Sequence, residues 1–161
     1  IVDKTFPEEF YLLTLHRKEN LEDKKKLHSI IESLYDFSNL IIPMHHSLKN
    51  KLVEYDLLES LPKNIELVDP LVYSDLLLTI KNSKGVITDS GGLQKEAYWF
   101  NKPTLTLREN TEWIETVNFG LNKLVGADEE KIIQASQKIQ KPSRGIHRLL
   151  CGSKKLGITF I

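Results

Sequence analysis

One cysteine, Cys151, stands among 161 residues, so no disulfide can form within the chain. A reducing, cytoplasmic setting is the expectation that follows. Long apolar runs are missing too, and no stretch approaches the roughly 20 residues that span a bilayer. The first residues, Ile1-Val-Asp-Lys4, lack the basic start and apolar core of a secretory signal. Neither sign of charge is in excess: Lys plus Arg and Asp plus Glu number 22 each, leaving no overall field to attract nucleic acid or an anionic membrane. The adjacent pair His45-His46 has no carboxylate or cysteine beside it, which makes it a poor metal site. An initiator Met is also missing, as expected of a piece of a longer chain.

What is present reads as an ordinary globular domain, 40% hydrophobic and 27% charged. The continuous apolar runs Phe10–Leu15 and Leu40–Ile42 have the character of strands covered on both faces. Further strands are expected at Ile65–Val68, at Val86-Ile87, at Pro103–Leu107 and at Lys123–Val125. Helical spacing of apolar residues separates them, from Leu27 to Phe37, Ser47 to Tyr55, Tyr73 to Asn82, Gly91 to Phe100, Glu112 to Phe119 and Asp128 to Ile139. Six alternations of strand and helix predict an α/β fold with a doubly wound, mostly parallel sheet of about six strands. Ligands of such sheets sit beyond the carboxyl ends of the strands. His16, His45, Asp69, Ser90 and Arg108 each follow a predicted strand and are therefore expected along one edge.

The most informative stretch runs from Gly85 to Glu96, Gly-Val-Ile-Thr-Asp-Ser-Gly-Gly-Leu-Gln-Lys-Glu. Ser90 suits an N-cap, and Gly91-Gly92 let a ligand approach the backbone closely. Free N–H groups and the positive end of a helix dipole gather there, favouring a phosphate. The stretch is neither a Walker loop, which needs Gly-Lys-Ser/Thr, nor a Gly-x-Ser-x-Gly elbow, because Thr88 replaces the first glycine. Glu96 lies about one turn into the helix, placed either to accept from both hydroxyls of a ribose or simply to face solvent. His28, between Leu27 and Ile30, reads as structural, and Tyr98-Trp99-Phe100 as a packed helix face.

Several stretches together resemble the C-terminal half of the non-hydrolysing UDP-N-acetylglucosamine 2-epimerases. They are Leu13-Thr-Leu-His-Arg-Lys-Glu-Asn20, Thr88-Asp-Ser-Gly-Gly-Leu-Gln-Lys-Glu-Ala97, Lys102-Pro103, Leu107-Arg-Glu-Asn-Thr-Glu112 and Leu124-Val-Gly126. The resemblance implies the Rossmann-like half of a GT-B fold, with residues 1–141 as a UDP-binding domain. It also implies that the catalytic N-terminal domain lies outside this chain, and that the full-length protein is a homodimer. In such enzymes UDP leaves to give 2-acetamidoglucal and returns in the other orientation, which inverts C2. The UDP-sugar is then substrate, and neither a metal nor a nicotinamide cofactor is expected.

Carried over by residue, Ser90, Gly91 and Gly92 would hold the diphosphate, and Glu96 the ribose. His16 would stabilise departing UDP, its structural alternative being a loop cap. The uracil would rest near Leu71 to Leu76, while Arg17, Arg108 and Glu112 would contact the substrate or support the loops. Trp113 departs from the family's Thr-Glu-Arg-Pro-Glu pattern, standing where an arginine would meet substrate. Its indole fits packing on a modified sugar, such as a diacetamido or uronic-acid variant, as well as it fits core packing. The basic and apolar stretch 142–161 lacks the family's Gly-Asp-Gly turn and reads as an atypical tail. Two other readings of the chain remain open at this point, the donor half of a GT-B glycosyltransferase and a non-catalytic domain that senses UDP-sugars or mediates assembly.

Overall fold

A computed structural model describes residues 6–140; the tail expected at 142–161 lies outside the described residues. Six short strands form one sheet: β1 (Tyr11–Thr14), β2 (Leu40–Pro43), β3 (Ile65–Val68), β4 (Gly85–Thr88), β5 (Thr104–Thr106) and β6 (Asn122–Leu124). Their order is β3-β2-β1-β4-β5-β6 and every pairing is parallel, as the sequence predicts. Connections run through α1 (Lys18–Leu21), α2 (Lys24–Ser33), α3 (His46–Glu54), α4 (Tyr73–Asn82), α5 (Gly91–Trp99), α6 (Ile114–Asn118) and α7 (Glu129–Gln140).

Alternation along the central strands divides the core in two. Leu13 and Ile87 point into a large cluster with Leu27, Ile30 and Ile31 of α2, Leu48 and Leu52 of α3, and Ile132 and Ala135 of α7. Their neighbours Leu12 and Val86 point the other way, into a smaller cluster with Ile80 of α4 and Leu93 and Ala97 of α5. The segment after β1 therefore covers one face and the helix after β4 the other. Because β1 and β4 are adjacent in the sheet, their carboxyl ends open into a crevice at the point where the winding reverses.

Local chemistry accounts for the departures from the expected elements. Helix α2 begins where the Asp23 side chain accepts from the N–H groups of Lys25 and Lys26, at 2.9 and 3.2 Å. It tightens into a 3-10 turn at Leu34–Asp36 instead of running on to Phe37. The turn α1 was not expected at all. The helix predicted from Glu112 starts at Ile114, because the Thr111 hydroxyl accepts the Trp113 N–H at 3.1 Å and holds that residue outside the helix. His28 is exposed beside Glu32 rather than packed. Trp99 is also exposed, lying against the Lys95 ammonium 4.9 Å from its ring centre, which corrects the expectation of a fully packed Tyr98–Phe100 face.

Candidate functional site

The crevice between β1 and β4 is built around a carboxylate. Asp89 follows the last residue of β4 and is completely buried. Its oxygens accept from the backbone N–H groups of His16, at 3.2 Å to each oxygen, and of Arg17, at 2.8 Å. The Asn20 amide donates to it at 3.3 Å and to the Leu107 carbonyl at 3.0 Å, joining the ends of β1, β4 and β5. The His16 ring completes the set, with Nδ1 3.0 Å from Asp89 Oδ1 while 47% of the His16 side chain remains exposed. A buried carboxylate requires such partners, since burial alone strongly disfavours its charged form.

The electrostatic balance follows from those contacts. Burial pushes the Asp89 carboxyl up, but hydrogen bonds from His16, Arg17 and Asn20 together outweigh it and leave the group below the usual carboxylate range. The hydrogen bond to Asp89 raises the His16 imidazole above its ordinary value, against partial burial and the charge of Arg17. Both shifts favour the charged form of the pair. Below it, Thr14 and Thr88 close the seam with hydroxyls 2.6 Å apart, and Thr88 Oγ1 accepts the Ser90 N–H at 2.9 Å.

Ser90 caps α5 as the sequence predicts, accepting from the Leu93 N–H at 3.4 Å. The N–H groups of Gly91 and Gly92 make no hydrogen bond with any described residue. Space in front of Gly92 is open: a Cβ built there would meet nothing within 4 Å. At Gly91 a Cβ would strike the Glu112 carboxylate, which rests against the backbone at that point. Glu112 is itself paired with Arg108, Nη1 lying 3.0 Å from Oε2. A bond from its own backbone N–H, aided by Arg108 and Arg17 against weak burial, holds the Glu112 carboxyl below its ordinary value. Arg17, Asn20, Leu107, Arg108, Gly126 and Ala127 line a cleft of about 290 Å³ beside this point. The cleft reaches the two arginines but not the Gly91-Gly92 turn.

The remaining expected residues are less alike. Glu96 is half-buried and accepts at 2.7 Å from the hydroxyl of the exposed Tyr73. Leu71 packs against Phe10, Ile41 and Val68, whereas Leu76 packs into the α4–α5 cluster. The stretch between them presents Val72 and Tyr73 outward instead. Trp113 donates its indole N–H to the Gly91 carbonyl at 2.8 Å and stacks on Lys95, 5.0 Å from the ring centre. It therefore braces the start of α5. His45 and His46 stack on each other at 4.2 Å beyond β2, and among the described residues no group of three or more His, Cys, Asp or Glu is placed to hold a metal. No helix among the described residues is long and apolar enough to cross a membrane.

Sequence reasoning missed three supports. Asp89 had a signal, a carboxylate just beyond the apolar Val86-Ile87 run, but its partners come from a segment 72 and 73 residues away. Gln94 had none. It is completely buried, donates to the Ser90 carbonyl at 3.1 Å, and accepts from the Thr111 hydroxyl and from the Asn122 amide at 3.0 Å. Tyr73 reads in the sequence only as a helix-start residue.

Comparison with known proteins places this geometry in context. A family model described as UDP-N-acetylglucosamine 2-epimerase matches residues 1–151. A UDP-N-acetylglucosamine 2-epimerase of Methanocaldococcus jannaschii is 39% identical over 135 residues, covering 80% of this chain and 37% of the relative. A UDP-2,3-diacetamido-2,3-dideoxy-D-glucuronate 2-epimerase of Pseudomonas aeruginosa is 36% identical over 132 residues, covering 80% of this chain and 36% of that protein. The crystal structure of the Methanocaldococcus jannaschii UDP-GlcNAc 2-epimerase in complex with UDP-GlcNAc and UDP superimposes with a TM-score of 0.79 at 39% identity, over 85% of this chain and 40% of its own. The chain thus spans well under half the length of these relatives.

Proposed function

Because this chain belongs to the UDP-N-acetylglucosamine 2-epimerase family, we propose that residues 1–141 are the UDP-binding half of an enzyme interconverting UDP-GlcNAc and UDP-ManNAc. The observation that carries this reading is the pair of unpartnered N–H groups at Gly91 and Gly92. Gly92 opens onto free space at the start of α5, the Glu112 carboxylate rests against Gly91, and the His16–Asp89 pair lies just before them. Diphosphate oxygens would accept from those N–H groups and from the Ser90 hydroxyl, favoured by the helix dipole. Glu96, oriented by Tyr73, would accept from the ribose hydroxyls. The Leu71–Leu76 stretch, with its outward Val72 and Tyr73, would meet the uracil.

The reaction would proceed by loss of the C2 proton to a base and cleavage of the C1–O bond, its electron pair departing with UDP. The resulting 2-acetamidoglucal would take UDP back at C1 and a proton on the opposite face of C2. The His16 imidazolium would offset the charge that gathers on the departing diphosphate. Family carboxylates that move the proton belong to the N-terminal half, so the isolated chain would bind UDP without turning over substrate. The whole protein would be a cytoplasmic homodimeric isomerase without a metal or nicotinamide cofactor.

A second reading concerns only the sugar. Trp113 replaces the usual arginine, and one relative acts on a diacetamido uronate. The full-length enzyme would then prefer that substrate, which assay of both UDP-sugars decides. For the binding reading, calorimetric titration of this chain with UDP is the test. Binding that weakens in both Ser90→Ala and Glu96→Ala supports it, and no binding by the folded wild-type chain overturns it.

A further inference from the structure

We propose that Asp89 is a positioning residue that holds the His16 imidazole as a fixed cation facing the diphosphate, with Nδ1–H turned inward and Nε2–H presented to the ligand. The proposal rests on the UDP-binding reading above and adds to it a group that never touches the ligand. Asp89 is fully buried beneath the site, and each of its bonds reaches the segment that carries His16. Two of them fix the backbone of His16 and Arg17, one fixes Asn20 at the end of α1, and one takes the ring nitrogen. Position and protonation of the ring are therefore set by one carboxylate.

A physical need for this arrangement follows from the surroundings. A site that attracts a dianion collects positive features: Arg17 beside His16, Arg108 across the crevice, and the positive end of α5 directly after Asp89. Of these, Arg17 directly opposes a proton on the imidazole. Of the acidic groups nearby, Glu112 is occupied by Arg108, while Glu19 and Glu109 line the cleft together with Arg17, Arg108 and Lys26. Among the acidic groups of the described residues, Asp89 alone is paired with the ring. It offsets the positive surroundings from below, where it does not repel the ligand's phosphates directly. The raised imidazole value agrees with this geometry.

The test combines nuclear magnetic resonance of the imidazole nitrogens with UDP titration at pH 5.5 and pH 7.5. In the wild-type chain His16 is expected to keep a protonated Nδ1 and to titrate above its ordinary value. Asp89→Asn is expected to bind UDP about tenfold more weakly than wild type at pH 7.5, the loss of one charge-assisted bond. At pH 5.5 the deficit is expected to shrink, because acid restores the cation that the carboxylate no longer secures. A merely structural role would give a deficit independent of pH. If Asp89→Asn does not fold, His16→Gln replaces it: the ratio of wild-type to variant affinity should then fall between pH 5.5 and pH 9, as the wild-type cation is lost. A constant ratio, or an imidazole titrating at or below its ordinary value, overturns the proposal. Absence of UDP binding alongside a raised, Nδ1-protonated imidazole overturns the functional reading instead, so the two failures are distinguishable.

Discussion

The β1–β4 seam and the loop after β5 face the same crevice but are held in opposite ways. At the seam, one buried carboxylate gathers backbone N–H groups, so the turn after β1 is fixed whatever its exposed side chains do. The loop from Arg108 to Trp113 is fixed by side chains: the Arg108–Glu112 pair at its rim and the Gln94–Thr111–Asn122 network underneath. Backbone anchoring makes the turn after β1 a rigid platform. Side-chain anchoring makes the loop's place depend on the identities of Arg108, Thr111, Glu112 and Trp113.

Substitutions that remove each kind of anchor sharpen this contrast. Asp89→Ala is expected to have the largest effect, about 3 kcal/mol of stability lost in a denaturant titration, because several buried donors lose their acceptor together. The seam also carries a pH signature. The His16 contribution, from a raised value, is complete below about pH 6.5 and disappears as pH rises through that raised value; the Asp89 contribution, from a lowered value, is complete above about pH 4 and disappears as pH falls through it. Wild-type melting temperature should therefore plateau between about pH 4 and pH 6.5, and Asp89→Ala should flatten that profile.

Gln94→Leu is expected to cost less, about 2 kcal/mol, by leaving the Thr111 hydroxyl and the Asn122 amide short of an acceptor. Its loss should be accompanied by faster amide exchange in the Thr111–Trp113 loop and unchanged exchange at His16 and Arg17. Glu112→Gln should change stability by less than about 1 kcal/mol, since the pair it breaks is partly exposed. A cost as large as that of Asp89→Ala would erase the distinction between the two anchors.

Most of the fold was legible because β1 and β2 lie in continuous apolar runs and the apolar residues of the helices between the strands recur at helical spacing. The cap of α5 was legible as well, since Ser90 stands directly before Gly91 and Gly92. What joins the turn to the rest of the site was not. Asp89 meets His16 and Arg17 only because β4 lies beside β1, an adjacency that the order of strands along the chain does not reveal. Gln94 looks like any helical polar residue until Asn122 and Thr111 are folded over it. Leu71 and Leu76 are grouped only by the family resemblance, whereas the start of α4 sends them to separate clusters.

Gly92→Ala offers the most direct test of the central claim that a diphosphate lies against the open backbone at the start of α5. The added methyl meets nothing within 4 Å, and alanine favours a helix over glycine by roughly 0.5–1 kcal/mol. The account predicts a variant at least as stable as wild type in which calorimetry finds UDP affinity reduced tenfold or more, about 1.4 kcal/mol. A stable Gly92→Ala chain that binds UDP as tightly as wild type would contradict it.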